Sequence, residues 1–254
     1  MTFWDHIEEL RWRIARIVGV WVVLAIGYFV FMPYIFESVI LAPCNNDFVT
    51  YDILRQIASW WGEQGDFIGE EFQLKLININ LAAPLLIHLS TSFALAVVTT
   101  APYLFYEVWR FVRPALYSNE QRGVKLAFLF GTVMFYVGVV VGYFLVYPLT
   151  LRFLGTYQLS SMVENSISLN SYIDNFMMLI LSMGLAFEIP LILWLLSLMG
   201  VVSRTLLRHY RRHAIVAIVI IAAVITPTGD PFTLAIVAIP LYMLYELSVL
   251  VMRK

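Results

Sequence analysis

Three glutamates stand in unusual places in this chain of 254 residues. Glu9 lies at the polar start of the first long apolar run, Glu120 just ahead of the third, and Glu188 deep within the fourth. The chemistry open to each differs. Glu9 has Arg13 four residues on and Glu8 has Arg11 three residues on, spacings at which helical side chains meet for about 0.2–0.5 kcal/mol. Glu120 belongs to the polar stretch 106–122, where Glu107, Arg110, Arg113 and Arg122 are interleaved with Trp109, Phe111 and Tyr117. Such a stretch is suited to holding something charged. Glu188 is the costly one, because an acid at the centre of a membrane helix costs about 2.5–3.5 kcal/mol on insertion scales. It must face protein or water. Two readings stay open for it: a hydrogen bond to another helix of the same chain, or a polar point offered to a partner helix or a moving substrate. His209 and His213 have metal-ligand spacing, but they sit among four arginines with no acid nearby, so no metal site is expected. There is no HExxH, GxSxG or Walker loop, and no cluster of His and acids inside the apolar runs. A membrane-embedded hydrolase would lack its parts, and neither an enzyme activity nor a cofactor is expected.

The elements that must position these residues are membrane helices. The composition is 61% hydrophobic and 13% charged, with a mean hydropathy of +0.82, against about 25% charged in a soluble domain. Single Cys44 leaves no intrachain disulfide framework. The expected class is an all-α integral membrane protein, one membrane domain over 1–254, with six transmembrane helices and a short final helical hairpin. Residues 2–13 read as an amphipathic helix lying in the interface and running on into the first span, with Phe3, Ile7, Leu10 and Ile14 on one apolar face. The spans are expected at about 14–36, 81–105, 124–147, 172–199, 214–225 and 232–251. No cleavable signal peptide is expected, since the first run follows a mixed acidic and basic segment and exceeds an h-region in length. Region 37–80 should be external, with Trp60, Trp61, Phe67, Ile68 and Phe72 in short amphipathic pieces resting on the membrane.

Smaller features refine this layout. Pro84 opens the second span, and Pro102 lies towards its far end. His88, inside that span, reads as a hydrogen-bonding partner of a neighbouring helix. Gly138 and Gly142 allow close helix approach. Residues 152–171 read as a polar loop. The run 214–225 is short for a bilayer, and a turn with Pro227 and Asp230 joins it to the last span. Of the sixteen Lys and Arg, all but Arg55, Lys75 and Arg152 fall in the N-terminal segment, the 106–125 and 201–213 loops and the C-terminal Arg253 and Lys254. The positive-inside rule then places both termini in the cytoplasm.

Four ordered motifs resemble one family. Residues 3–13, from Phe3 through Glu8, Glu9 and Arg11 to Arg13, resemble the N-terminal signature of TatC, the multi-spanning subunit of the twin-arginine translocase. Residues 102–122 resemble its first cytoplasmic loop, Ala186–Pro190 its fourth-span motif and Thr226–Pro231 its final-hairpin motif. Two departures are the length of 37–80 and Gln121, where a second basic residue is common in the family. The resemblance implies a signal-peptide receptor and core subunit of a translocase in the bacterial cytoplasmic (inner) membrane. It would export folded proteins, driven by the proton-motive force, in an oligomeric complex with TatA- and TatB-type single-span subunits. The implied partners are twin-arginine signal peptides and membrane lipid, with no nucleic acid. By motif, Glu9 and Glu120 are the arginine-binding carboxylates and Phe111 belongs to the same surface; Glu188, on its cost in lipid alone, is the candidate partner-helix or intramembrane polar site. Arginine's planar fork suits this role, since it engages a carboxylate through two parallel hydrogen bonds where lysine offers a point charge. A proton- or solute-coupled secondary transporter is the alternative, since it too would use a buried Glu188.

Overall fold

A computed structural model describes residues 3–60, 74–113, 121–157, 160, 166–198, 200–226 and 228–251. The first apolar run forms one helix, α1 (Phe3–Ile35), with no break between its amphipathic start and its span. Its 33 residues make it about 50 Å long, against about 30 Å of hydrocarbon. The start therefore runs on into the span, as the sequence leads one to expect. Its apolar face is turned away from the rest of the protein, and a polar residue is turned in. Ile7, Leu10 and Ile14 are exposed, whereas Arg13 is buried. The reason is a charged partner on another helix, described below.

A wide π turn (Phe36–Ile40) and a 3-10 turn (Ala42–Cys44) lead to α2 (Val49–Trp60). This region packs against the protein itself. Phe48 and Tyr51 are buried, Phe48 stacks on Phe144 at 5.7 Å, and the Tyr51 hydroxyl donates to the Pro43 carbonyl at 2.9 Å. Trp61, Phe67, Ile68 and Phe72 lie outside the described residues. Beyond them, β1 (Leu76–Ile77) pairs in parallel with β2 (Ile167–Ser168), Leu76 opposite Ile167. Next come α3 (Ala83–Val112) and α4 (Gln121–Val141). A second π turn, Gly142–Val146, carries α4 into α5 (Tyr147–Thr156). The expected loop at 152 is thus helical, and Arg152 is buried with its guanidinium 5.2 Å from the Tyr51 ring centre. That aromatic face gives an arginine a place the hydropathy pattern does not reveal. The rest of the chain is α6 (Leu169–Ala186), α7 (Ile189–Leu198), α8 (Arg204–His209), α9 (Arg211–Ile225) and α10 (Pro231–Val251). Among the described residues five helical runs are long and apolar enough to cross a membrane, beginning in α1, α3, α4 with α5, α6 with α7, and α10, and α9 stands where the sixth pass is expected. With 15 residues, α9 is only about 22 Å long.

Two devices lock the passes together. The first concerns prolines. A proline has no N–H and leaves the carbonyl four residues earlier without its helical donor, and in lipid that carbonyl needs another one. Pro33 strands the Phe29 carbonyl, which lies 2.8 Å from His88 Nε2 of α3. Pro102 strands that of Val98, which accepts from the Tyr136 hydroxyl of α4 at 3.3 Å. At the same spacing, the Val39 carbonyl before Pro43 accepts from Tyr143 at 2.8 Å, and the Phe144 carbonyl before Pro148 accepts from Thr50. Each stranded carbonyl thereby becomes a bond to another element. The second device is a pair of small residues, Gly138 on α4 and Gly142 at the π turn that follows it. A Cβ on Gly138 would stand 2.5 Å from the Met183 carbonyl oxygen, and one on Gly142 would stand 3.2 Å from Ile180 Cα. Glycine there lets α4 and α6 approach backbone to backbone.

Candidate functional site

At the end of the molecule where α1 starts and α3 finishes, an apolar protein has gathered its charges. Glu9 is in the second turn of α1, its side chain 27% exposed, and it pairs with Arg13 one turn on. Glu8 likewise pairs with Arg11, at 3.5 Å in solvent. Both pairings are those the helical spacing calls for. Helical spacing carries no sign of what lies on the far side of Arg13. Its Nη1 donates to Glu107 Oε2 at 2.9 Å and to the Glu107 carbonyl at 3.3 Å, and its Nη2 reaches the Arg110 carbonyl at 3.4 Å.

Glu107, one turn before Phe111 on α3, is the hub. Its side chain is only 2% exposed. Besides Arg13 it takes Arg16 side-on, Nε to Oε1 at 3.1 Å and Nη2 to Oε2 at 3.3 Å, and the Tyr103 hydroxyl donates to Oε1 at 2.9 Å. A carboxylate so buried needs this many donors to offset its lost hydration. Breaking such a pair by removing one partner typically costs about 3–5 kcal/mol. The cluster therefore clamps the start of α1 to the end of α3. One signal for it was present in the sequence: Glu107 lies one turn after Tyr103 on an otherwise apolar helix, and a charge there needs a partner. Which partner, 94 residues away, could not be read.

The clamp brings Glu9 to the end of α3 where Phe111 is half-buried. Nearby, Trp109 has Arg113 at 5.5 Å and Lys125 at 5.9 Å from its ring centre, which ties the beginning of α4 to the same end. Glu120 lies outside the described residues, so its placement beside Glu9 remains an expectation.

Glu188 sits elsewhere, in the short break between α6 and α7. Pro190 supplies no N–H there, and the chain turns through a Glu188 amide bond to the Leu185 carbonyl at 3.0 Å. The carboxyl is buried, and neither oxygen has a hydrogen-bond partner among the described residues. It faces α4 at Gly131, where a Cβ would stand 2.9 Å from Oε2. Asp230 is the opposite case. It caps α10, accepting from the Thr233 amide at 2.7 Å and the Thr228 hydroxyl at 2.6 Å. Burial alone would push this carboxyl up, but those bonds outweigh it and hold it below the usual range. Pro227 lies outside the described residues.

Comparison with known proteins matches residues 5–240 to the family described as Sec-independent protein translocase protein (TatC). A protein of that name from Blattabacterium sp. is 32% identical over 250 residues, covering 98% of this chain and 94% of the relative. One from Deinococcus radiodurans is 34% identical over 250 residues, covering 98% and 84%. Among solved structures, a crystal structure of the twin arginine translocase receptor TatC in DDM superposes with a TM-score of 0.77 at 29% identity, covering 98% of this chain and 100% of that one.

Proposed function

The chain belongs to the TatC family of Sec-independent protein translocase proteins, and we propose from this that it is the signal-peptide receptor of a twin-arginine translocase, with Glu9, Glu120 and Phe111 as its recognition surface. As a TatC it is a multi-pass membrane protein with a transport role. The relatives named above are translocase proteins, and the solute-transporter alternative is set aside. Its partners in this reading are twin-arginine signals of folded passengers and single-span TatA- and TatB-type subunits, with the proton-motive force as driver.

The observation that carries the site is the clamp at Glu107. It holds Glu9 of α1 beside the Phe111 end of α3, so a peptide lying there meets a carboxylate and an aromatic ring from two helices. A guanidinium gains about 1.5–3 kcal/mol from a partly desolvated carboxylate, against about 0–1 kcal/mol at an exposed one. Two carboxylates read this way favour paired arginines over paired lysines. The test is photo-crosslinking of the full-length protein to a twin-arginine signal peptide, with a twin-lysine peptide as control. Glu120→Ala or Glu120→Lys should abolish crosslinking in a folded, inserted protein, and Glu9→Ala should give a weaker form of the same defect. Undiminished binding by the Glu9→Ala/Glu120→Ala double variant would place the site elsewhere.

A further inference from the structure

Arg13 is a buried guanidinium divided between two carboxylates on different helices. Nη2 bonds to Glu9 on α1, while Nη1 bonds to Glu107 on α3. Its remaining bonds, to the carbonyls of Glu107 and Arg110, hold it on the α3 side. We propose that Glu107 is a positioning residue for signal recognition: by holding Arg13 from α3 it limits how fully Arg13 neutralises Glu9, and so sets the affinity of Glu9 for an incoming guanidinium. This rests on the reading of Glu9 as an arginine-binding carboxylate.

The physical argument is one of competition. An arginine arriving at Glu9 offers the same fork that Arg13 already presents. What it gains depends on how much of Arg13's charge Glu9 already receives. With Glu107 ionised, Arg13 is shared. With Glu107 neutral, Glu9 becomes the carboxylate that Arg13 meets among its described contacts, at i+4 on the same helix and in a buried setting where charges are felt strongly. The incoming group then competes with an undivided internal one. Arg16 acts in the same direction. Its side chain is 46% exposed and both its bonds end on Glu107, so losing that carboxylate leaves a positive charge at the mouth of a site meant for a basic peptide. Glu107 itself is too buried to serve as the peptide's landing point.

Removing Arg13 and Glu107 charges together should restore Glu9, because the internal competitor leaves with its partner. That separates tuning from mere bracing of α1 against α3, for which the double variant would be no better than the single one. The experiment measures the dissociation constant of a fluorescent twin-arginine signal peptide, with a twin-lysine peptide as control, on the full-length protein in nanodiscs. Glu107→Gln should weaken twin-arginine binding roughly tenfold, the scale of one charge-assisted hydrogen bond. It should also narrow the preference over the twin-lysine peptide. Arg13→Gln/Glu107→Gln should recover most of both. Arg16 has lost its carboxylate in both variants, so this comparison isolates Arg13. Should Glu107→Gln fail to fold, Arg13→Gln alone serves: it removes the internal competitor with Glu107 still ionised, so it should bind at least as tightly as the parent, and weaker binding overturns the proposal. A double variant that binds as weakly as the single one, or a single variant that binds like the parent, overturns the proposal. Glu9→Gln run alongside distinguishes the two levels. If it binds undiminished, the reading of Glu9 fails. If it weakens binding while Glu107→Gln does not, only the tuning role of Glu107 fails.

Discussion

Carboxyl groups in this molecule fall into two conditions, bonded within the protein and not. Asp230 and Glu107 have their oxygens occupied by donors of the same chain. Glu188 is buried with neither oxygen paired among the described residues. An unmet buried acceptor costs about 1–3 kcal/mol, and that cost is recovered if a donor arrives from a partner helix. Gly131 keeps the facing side of α4 free of a side chain at this point. On the reading that Glu188 receives a single-span partner subunit, Glu188→Gln should retain co-purification of that subunit and export, because the amide keeps shape and hydrogen bonding. Glu188→Ala should lower both. Equal behaviour of the Gln and Ala variants would remove hydrogen bonding as the role of this residue.

Between elements, the bonds to proline-stranded carbonyls make helix pairing depend on single side chains. The His88 bond to Phe29 is the sharpest case, because the ring also stacks on Phe29 at 4.2 Å. A carbonyl oxygen can only accept, so this bond needs a proton on Nε2. His88→Leu should destabilise the protein by about 0.6–1.7 kcal/mol, from the average to the largest value measured for hydrogen bonds between membrane helices. In a Pro33→Ala background residue 33 regains its N–H and can bond the Phe29 carbonyl within α1, so the same substitution should cost clearly less. Thermal unfolding of the four proteins of this cycle in nanodiscs measures the coupling. Additive effects would show that His88 does not stand in for the missing helical donor.

Across the whole molecule, the two ends differ in what they gather. One end holds the cluster of Glu9, Arg13, Arg16 and Glu107 together with the Trp109 contacts to Arg113 and Lys125. The other holds the buried aromatic packing of Phe48, Tyr51, Tyr147 and Tyr172 around Arg152. The asymmetry of lysine and arginine assigns the first end to the cytoplasm. Reporter fusions after residues 122 and 212 should therefore be cytoplasmic, and fusions within 50–70 and 155–168 external. An external reporter after residue 212 would break the six-pass path and separate Glu9 from the side on which signals arrive. The short α9 and its turn fit a locally thinned bilayer around the final hairpin.

The class of protein, its helical passes and its local ion pairs were legible because they depend on short-range properties. An apolar run in lipid must satisfy its own backbone, so hydropathy alone implies helix. Glu9 with Arg13 and Glu8 with Arg11 follow from the helical repeat. Four motifs in order also carried the family resemblance. The burial of Arg13 was not legible, because it follows from where Arg13 finds Glu107 on another helix. Nor was the burial of Arg152 against Tyr51, or the break that leaves Glu188 opposite Gly131. Each of these depends on which helix lies beside which. That choice is made by close approach at Gly138 and Gly142, by carbonyls stranded at prolines and by buried charges seeking partners about a hundred residues away. Such contacts exist only once the passes have assembled, and local spacing carries no record of them.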